Sequence, residues 1–252
     1  MLYKVSVIIP SYNSSSTLKR AIESVLNQSH KNIEILLTDD NSSDDTGKII
    51  NDYERKYHNI KGYYLKENKG AGYSRNIATR HASGDFIAFL DSDDYWYPYK
   101  LEKQIEFMTY RKIHFTYSSY DVVDELGIMK NNVEARSVID YRDILRNNYI
   151  GCLTVIYDVR HFGKLYMPQI RKRQDWCLWI DIIKREGPIY GIKDSLAAYS
   201  IQKQSLSSNK INLLKYNWLV YRKHLGLGYL RSYYLLSRYI MFYVYKKSKI
   251  YF

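Results

Sequence analysis

The chain is poor in the residues that build covalently or metal-stapled folds. Its 252 residues include two cysteines, Cys152 and Cys177, whose separation offers neither a ligand spacing nor a disulfide framework. A reduced, cytoplasmic setting is the expectation. Among six histidines there is no HxxxH pair, which excludes a helix-borne zinc site of that type. The N-terminus enters a strand-like run, Val5-Ser6-Val7-Ile8-Ile9, with no basic region and long apolar segment of a secretory signal. A run long enough to cross a bilayer is missing too: in Leu225–Phe252, Arg231, Arg238 and Lys246 break the sequence well short of about 20 apolar residues. No acid follows Asp194.

What is abundant is positive charge and tyrosine. The net charge is +12, from 38 Lys and Arg against 26 Asp and Glu, with 28 tyrosines. That balance points to a polyanionic neighbour: nucleic acid, nucleotide phosphates or an anionic membrane surface. The acids gather around Asp39–Asp52 and Asp91–Asp94, so a catalytic body with a basic tail fits better than a nucleic-acid clamp. A chain of this length can bury about three-quarters of its unfolded surface in one large domain without staples.

Strand-length apolar runs alternate with segments of helical period over the first 110 residues. Val5–Ile9, Ile33–Leu37, Ile60–Leu65 and Phe86–Leu90 read as strands, and Ser15–Gln28, Asp44–Tyr57 and Ala71–His81 as helices. Asn13 or Ser14 can cap the first helix and the Ser42-Ser43-Asp44 cluster the second. Alternation of this kind predicts parallel βαβ units with both sheet faces covered and a ligand crevice at the strand C-termini. Four polar clusters fall there: Pro10-Ser11-Tyr12-Asn13, Asp39-Asp40-Asn41, Lys66-Glu67-Asn68-Lys69-Gly70 and Asp91-Ser92-Asp93-Asp94. Beyond residue 110 the pattern loosens into strands at Lys112–Tyr120 and Thr154–Tyr157, helices at Tyr141–Asn147 and Asp175–Arg185, and a strand pair across Ile189–Ile201 interrupted at Lys193-Asp194. The Gln202–Lys210 loop, rich in Gln, Ser and Asn, separates this body from the tail.

The acidic turn after Phe86–Leu90 has two readings. Three carboxylates within four residues repel one another unless a cation sits among them, and Mg²⁺ takes carboxylate oxygens while bridging to substrate phosphates. The alternative is a solvated turn or a helix cap before Tyr99–Tyr110. Asp39 and Asp40 can pair with a cation, but are also placed to accept hydrogen bonds from a base or ribose, or else to cap the helix that follows. Lys69-Gly70-Ala71-Gly72-Tyr73-Ser74-Arg75 opens a helix with glycines, where backbone N–H groups favour phosphate; it is neither a Walker loop nor a GxGxxG fingerprint. Asp175, directly after Arg171-Lys172-Arg173-Gln174, is expected to be ionised and able to accept a proton, or else to cap a helix whose Trp176, Trp179 and Ile183 face the core.

In order and spacing these motifs resemble the inverting family 2 glycosyltransferases of the nucleotide-diphosphosugar-transferase, or GT-A, fold, which includes bacterial capsule, O-antigen and exopolysaccharide enzymes. The resemblance runs from Val5 to about Lys210 and includes Ser74-Arg75-Asn76, Ala82-Ser83-Gly84-Asp85, the DxD motif in Asp91-Ser92-Asp93-Asp94, and Gln174-Asp175-Trp176-Cys177-Leu178-Trp179. It implies a single α/β domain with a mostly parallel, Rossmann-like sheet over residues 1–210, the donor half at 1–110 and the acceptor half at 111–210, followed by a helical tail at 211–252. It implies that Pro10, Tyr12 and Asp40 line the nucleotide pocket and that Arg75 lies near the base or phosphates. It further implies that Asp93 holds Mg²⁺ or Mn²⁺, that Asp91 contacts the ribose or the metal, and that Asp175 is the catalytic base. The expected activity is inverting transfer of a hexose or N-acetylhexosamine from a UDP-sugar to a saccharide acceptor, linked to undecaprenyl diphosphate, in surface polysaccharide synthesis.

Some positions depart from the family pattern. Gln174 stands where Glu is commoner and Asn41 where Gly is. Ser200 stands where many relatives have Arg, leaving Lys203 or Arg173 to clamp the leaving diphosphate. A nucleotidyltransferase would need a Gly-rich basic loop after the first strand, which Pro10-Ser11-Tyr12-Asn13-Ser14 does not supply; a non-catalytic glycan- or membrane-binding relative would tolerate loss of Asp175, which is present. A nucleic-acid partner is not expected, because it leaves three acids at a strand end unexplained. In the tail, His224, Arg231 and Arg238 recur every seven positions, with Leu230, Tyr234, Met241 and Val244 on another stripe. Either this is an amphipathic helix on the inner, anionic face of the cytoplasmic membrane, or its apolar side packs onto the body.

Overall fold

Val5–Ser11 is buried at all seven positions, the condition of a strand covered on both faces. Its side chains divide by alternation. Val5, Val7 and Ile9 join an apolar cluster with Leu18, Ile22, Ile50, Leu101 and Ile105, while Ile8 joins another with Ala78, Ile87, Phe89, Trp176 and Trp179. The sheet therefore runs between two cores.

A computed structural model describes residues 3–201 and 210–248. The first half reads β1 (Val5–Ser11), α1 (Leu18–Leu26), β2 (Ile33–Asp39), α2 (Thr46–Lys56), β3 (Ile60–Tyr64), α3 (Ala71–His81) and β4 (Phe86–Phe89). It continues with β5 (Tyr95–Trp96), α4 (Lys100–Arg111), β6 (Phe115–Val123), β7 (Met129–Val133), β8 (Val138–Ile139) and α5 (Tyr141–Arg146). Next come β9 (Ile156–Asp158), α6 (Val159–Phe162), α7 (Gln174–Glu186) and β10 (Ile189–Ser200), then α8 (Lys210–Leu219) and α9 (Tyr229–Ser248) with a π-helical turn, Val220–His224, between them.

The main sheet order is β3-β2-β1-β4-β9-β6-β10-β5, with β7 added on β6 and β8 on β10. β1 pairs in parallel with β2 and β4, and β2 with β3, as the alternation of the first 110 residues predicts. β9 runs antiparallel between β4 and β6, and β6 and β10 are parallel. Helices α1, α2 and α4 cover one face, and α3 and α7 the other. Gly84 lets the β4 entry lie against β1: a Cβ there would come within 2.6 Å of the Ser6 amide. Both cysteines are buried and free.

Several sequence expectations are corrected. β1 continues through Pro10 to Ser11, because β4 pairs with β1 only as far as Ile8 and the missing proline N–H leaves no gap in that ladder. α1 begins at Leu18, and neither Asn13 nor Ser14 caps it with a side chain; the Ser14 carbonyl receives the Thr17 and Leu18 amides instead. Ile189–Ser200 is one strand, not a pair: its register against β6 shifts at Ile192/Ser195 and Ser195/Ala197. The interruption at Lys193-Asp194 is thus an irregularity in a continuous strand, where Lys193 reaches Glu134 at 2.9 Å and Asp194 pairs with Lys103.

The tail is not one helix from Leu225. Gly226 takes a left-handed φ of 63° and breaks it, so α9 starts at Tyr229 and His224 leaves the stripe shared by Arg231 and Arg238. Val220, Tyr221 and Leu235 are buried in the larger core, and the Tyr221 hydroxyl donates to the Leu145 carbonyl at 2.9 Å. Part of the tail therefore packs on the body. His224 Nε2 meets Asp181 Oδ1 of α7 at 3.1 Å, and this hydrogen bond raises the imidazole pKa against the opposing effect of burial. The sign is fixed by linkage: a raised native pKa stabilises fully below the unfolded value near 6.5, and the gain is lost as pH rises through the native value. Urea midpoints of the full chain are expected to fall between about pH 6 and 8 more steeply than those of His224→Gln; parallel profiles would rule out the contribution of this pair.

Candidate active site

The C-terminal ends of β2, β1 and β4 lie side by side in the sheet, and the acidic turn follows directly on β4. The Asp94 amide donates to the Asp91 carbonyl at 3.1 Å, a tight turn that sends the three carboxylates in different directions. Asp91 pairs with the buried Arg75 guanidinium of α3. Burial opposes the Arg75 charge, yet Asp91 and Asp175 hold its pKa above the usual value; Asp175 therefore belongs to the same electrostatic neighbourhood. Asp94 is buried, with Oδ1 accepting the Ser200 amide of β10 at 2.9 Å and Oδ2 lacking a hydrogen-bond partner among the described residues. Burial, then Asp93 and Asp91, push its pKa well up. Asp93 is pushed up to about 6 by burial and then by Asp91, with Arg20 and Arg75 pulling the other way.

Arg20 was not anticipated. One Nη of this α1 residue donates to the Asp93 carbonyl and to Ser200 Oγ, both at 2.7 Å, and the guanidinium lies 4.8 Å from the centre of the Tyr95 ring. It thus reaches Ser200, the position where the family pattern has an arginine, from another element. The signal in the sequence was a cation in the first turn of a helix, where the dipole disfavours it unless something across the crevice calls for it. Of the two residues expected to clamp the diphosphate, Lys203 lies outside the described residues, and Arg173 donates to the Tyr239 hydroxyl at 3.0 Å.

The first two loops are tied to each other. Asn13, at φ 46°, accepts the Ser43 amide on Oδ1 at 2.9 Å, while its own amide donates to Ser42 Oγ at 2.9 Å. Asp39 accepts the Ser42 amide. Asp40 holds the next loop, its two oxygens accepting the Lys69 and Gly70 amides at 2.8 and 2.7 Å. Neither acid caps α2, and the Ser42-Ser43-Asp44 cluster does not either: the cap position is Asp45, with no side-chain cap bond, and Asp44 before it accepts the Thr46 amide at 3.0 Å. Pro10 is buried inside β1 and sets where the chain leaves the sheet, and Tyr12 just beyond it is 51% exposed, a ring free to stack on a flat ligand.

Two helix N-termini meet on the far wall. Gly72, in the first turn of α3, lies so close to Gln174 at the start of α7 that a Cβ would come within 2.9 Å of its side chain. Asn76 clasps the connecting segment, accepting the Met167 amide and donating to its carbonyl, both at 2.8 Å. A cavity of about 370 Å³ opens beside this segment, lined by Lys69, Gly70, Tyr73 and Arg171 among others, within the range of small-molecule pockets. Asp175 is the second residue of α7, not its cap; the cap position is Arg173, at φ 68°. Its Oδ2 accepts from Asn148 Nδ2 at 3.0 Å. Behind it Trp176, Trp179 and Ile183 are all buried, so the core-facing reading of those residues is correct as well.

Among the described residues no three His, Cys, Asp or Glu side chains are grouped to hold a metal by themselves. The donor set nonetheless fits a magnesium-type cation, which takes one or two carboxylates and completes its shell with water and phosphate oxygens. Burial and then Asp91 raise the pKa of Asp93, so an added positive charge would favour its ionised form.

Over residues 6–164 the sequence matches the protein family described as Glycosyl transferase family 2. The chain belongs to that family. TuaG of Bacillus subtilis (strain 168) is 41% identical over 90% of this transferase and 91% of its own length. An Escherichia coli relative, named UDP-Glc:alpha-D-GlcNAc-diphosphoundecaprenol beta-1,3-glucosyltransferase WfgD, is 39% identical over 93% of this chain and 92% of its own. Among solved structures, S. aureus TarS 1-349 in complex with UDP-GlcNAc aligns with a TM-score of 0.71 at 21% identity, covering 94% of this chain and 71% of that one. The mannosyltransferase PcManGT from Pyrobaculum calidifontis, in complex with GDP-Man and Mn2+, aligns at 0.67 with 15% identity, covering 90% and 66%. The GT-A fold is common to these transferases.

Replacing Arg20 of the transferase with Met removes one cation and two hydrogen bonds from beneath the acidic turn, and is expected to cost about 1–3 kcal/mol. Lys keeps the charge without the fork and recovers part of the loss. Urea unfolding of the three proteins checks this; equal midpoints would exclude Arg20 as the support of the turn.

Proposed function

We propose that this glycosyltransferase moves a hexose or N-acetylhexosamine from a UDP-sugar to a saccharide acceptor carried on undecaprenyl diphosphate, with inversion at the anomeric carbon. The observation that carries the reading is Asp175, fixed by Asn148 and close enough to Arg75 to raise its pKa. A base and a leaving-group site facing one another across a crevice are what single in-line displacement requires. The names of WfgD and of a second Escherichia coli relative, WfaP, which is 37% identical over 83% of this chain, support the choice of donor and of lipid carrier.

In this reading Tyr12 stacks on the nucleobase, and the Lys69-Gly70 turn held by Asp40 bounds the donor pocket. Asp93, with Asp91, would hold Mg²⁺ or Mn²⁺, which when bound neutralises charge on the departing diphosphate. Asp175 takes the proton from the acceptor hydroxyl as its oxygen forms the bond to the anomeric carbon. The bond from that carbon to the diphosphate oxygen breaks, and UDP leaves with the electron pair. The single exchange on opposite faces of the sugar gives inversion.

The tail supports work at a membrane. No described helix is long and apolar enough to cross one. α9 nevertheless exposes Leu230, Tyr233, Ile240, Met241 and Val244, whose spacing of three, seven, one and three residues keeps them on one helical face. Arg231 and Arg238 flank that face. Peripheral attachment to the anionic inner surface of the cytoplasmic membrane would bring the crevice to a lipid-linked acceptor.

Asp175→Asn keeps the shape and removes the base. UDP-sugar affinity, measured by calorimetry, is expected to stay within about twofold, while the transfer rate falls about 10²–10⁴-fold. Normal turnover by this variant would remove Asp175 from the mechanism.

A further inference from the structure

A second cavity, away from the donor crevice, lies between α5 and α9. It measures about 200 Å³ and is lined by Arg142, Arg146, Arg231 and Arg238 around Leu145 and Leu235. Four arginine side chains thus border a cavity whose surface is mainly apolar. Arg146 has a carboxylate neighbour, Asp143, at 3.8 Å, and Arg238 donates to the Tyr234 hydroxyl at 3.0 Å; among the described residues no carboxylate pairs with Arg142, Arg231 or Arg238. No carboxylate lines the cavity itself. Four cations with one neighbouring carboxylate favour an added anion, and the guanidinium fork matches phosphate oxygens two at a time. The volume is below that of pockets for drug-sized ligands but suits a phosphate or diphosphate group.

The position of the cavity decides what kind of phosphate. Asn148, two residues beyond Arg146, donates to Asp175 at 3.0 Å, so at most about 7 Å of chain separates the α5 arginine from the residue that orients the base. On the other wall, Tyr239 follows Arg238 directly and accepts from Arg173 at 3.0 Å, two residues before Asp175. Tyr149 then bridges to α9 by a ring contact with Phe242 at 5.9 Å. Both walls lead within a few residues to the proton acceptor. Arg231 and Arg238 also border the exposed apolar face of α9, which puts the cationic rim where a lipid meets water.

We infer that the four-arginine cavity binds the diphosphate of the lipid-linked acceptor, with the lipid chain leaving along the apolar face of α9 and the first sugar reaching toward Asp175. This site rests on the proposed reaction for its meaning, though its ligand chemistry can be tested without turnover.

The test uses the full chain, farnesyl diphosphate as probe and calorimetry as readout. The double variant R142A/R231A changes two exposed side chains, and is expected to weaken farnesyl diphosphate binding at least about tenfold while leaving UDP affinity unchanged. If circular dichroism shows that the double variant is not folded, the single variant R231Q, on the solvent side of α9, is measured instead, with a smaller loss in the same direction. Undiminished binding by the folded variant would overturn the assignment, as would failure of the wild type to bind the probe. A third arm floats both proteins with phosphatidylcholine vesicles containing phosphatidylglycerol. Loss of flotation with farnesyl diphosphate binding intact would make the cavity a bilayer headgroup site and overturn the inference. Arginine-dependent binding of the probe by a protein that transfers no sugar to any diphosphate-linked acceptor would uphold the site and remove the proposed reaction.

Discussion

Carboxylate repulsion at the end of β4 is the constraint that organises this molecule. Asp91, Asp93 and Asp94 lie within one tight turn at the edge of a buried sheet, where a low dielectric makes each pairwise repulsion worth several times its value in water. Three arrangements offset it, and each recruits a different element. Arg75 of α3 takes Asp91; Arg20 of α1 takes the Asp93 carbonyl; the Ser200 amide of β10 takes Asp94. The turn therefore joins the first helix, the third helix and the last strand. Asp93, whose pKa is pushed up to about 6 by burial and then by Asp91, is the member whose charge an added cation would favour.

The other acids of the crevice serve different ends. Asp40 is consumed in holding the Lys69-Gly70 turn, and Asp44 in starting α2. Asp175 accepts from the side chain of Asn148, which orients it. Sharing of roles by environment rather than by residue type lets these six aspartates work within one region without a common fate.

Much of this was legible in the sequence because buried parallel strands leave an unmistakable record. Val5–Ile9, Ile33–Leu37 and Phe86–Leu90 are apolar except at Ser6 and Glu34, and the segments between them keep a helical period, so parallel βαβ pairing followed. The acidic turn and Asp175 were recognisable as candidates for the same reason: polar groups at strand ends and helix starts stand out against such a background. Residues whose role depends on reach across the fold were not legible. Arg20 meets Ser200 across 180 positions, and Asn148 meets Asp175 from a segment with no motif. Pro10 looked like a turn residue because the neighbour it would have failed to bond, β4, ends earlier than β1. The register shift in β10 looked like a break because Lys193-Asp194 carries charge, although exposed ion pairs hold it in the strand. In the tail the left-handed Gly226 decides where the last helix begins, a backbone matter that side-chain periodicity does not record.

The central claim is that the supported acidic turn leaves Asp93 to bind a divalent cation together with the donor diphosphate. Calorimetric titration of UDP into the wild type and into Asp93→Ala, each with Mn²⁺ and with EDTA, tests it most directly. Binding to the wild type should be at least about tenfold tighter with Mn²⁺, with the difference lost in the variant. Equal affinity in Mn²⁺ and EDTA for the wild type would contradict it.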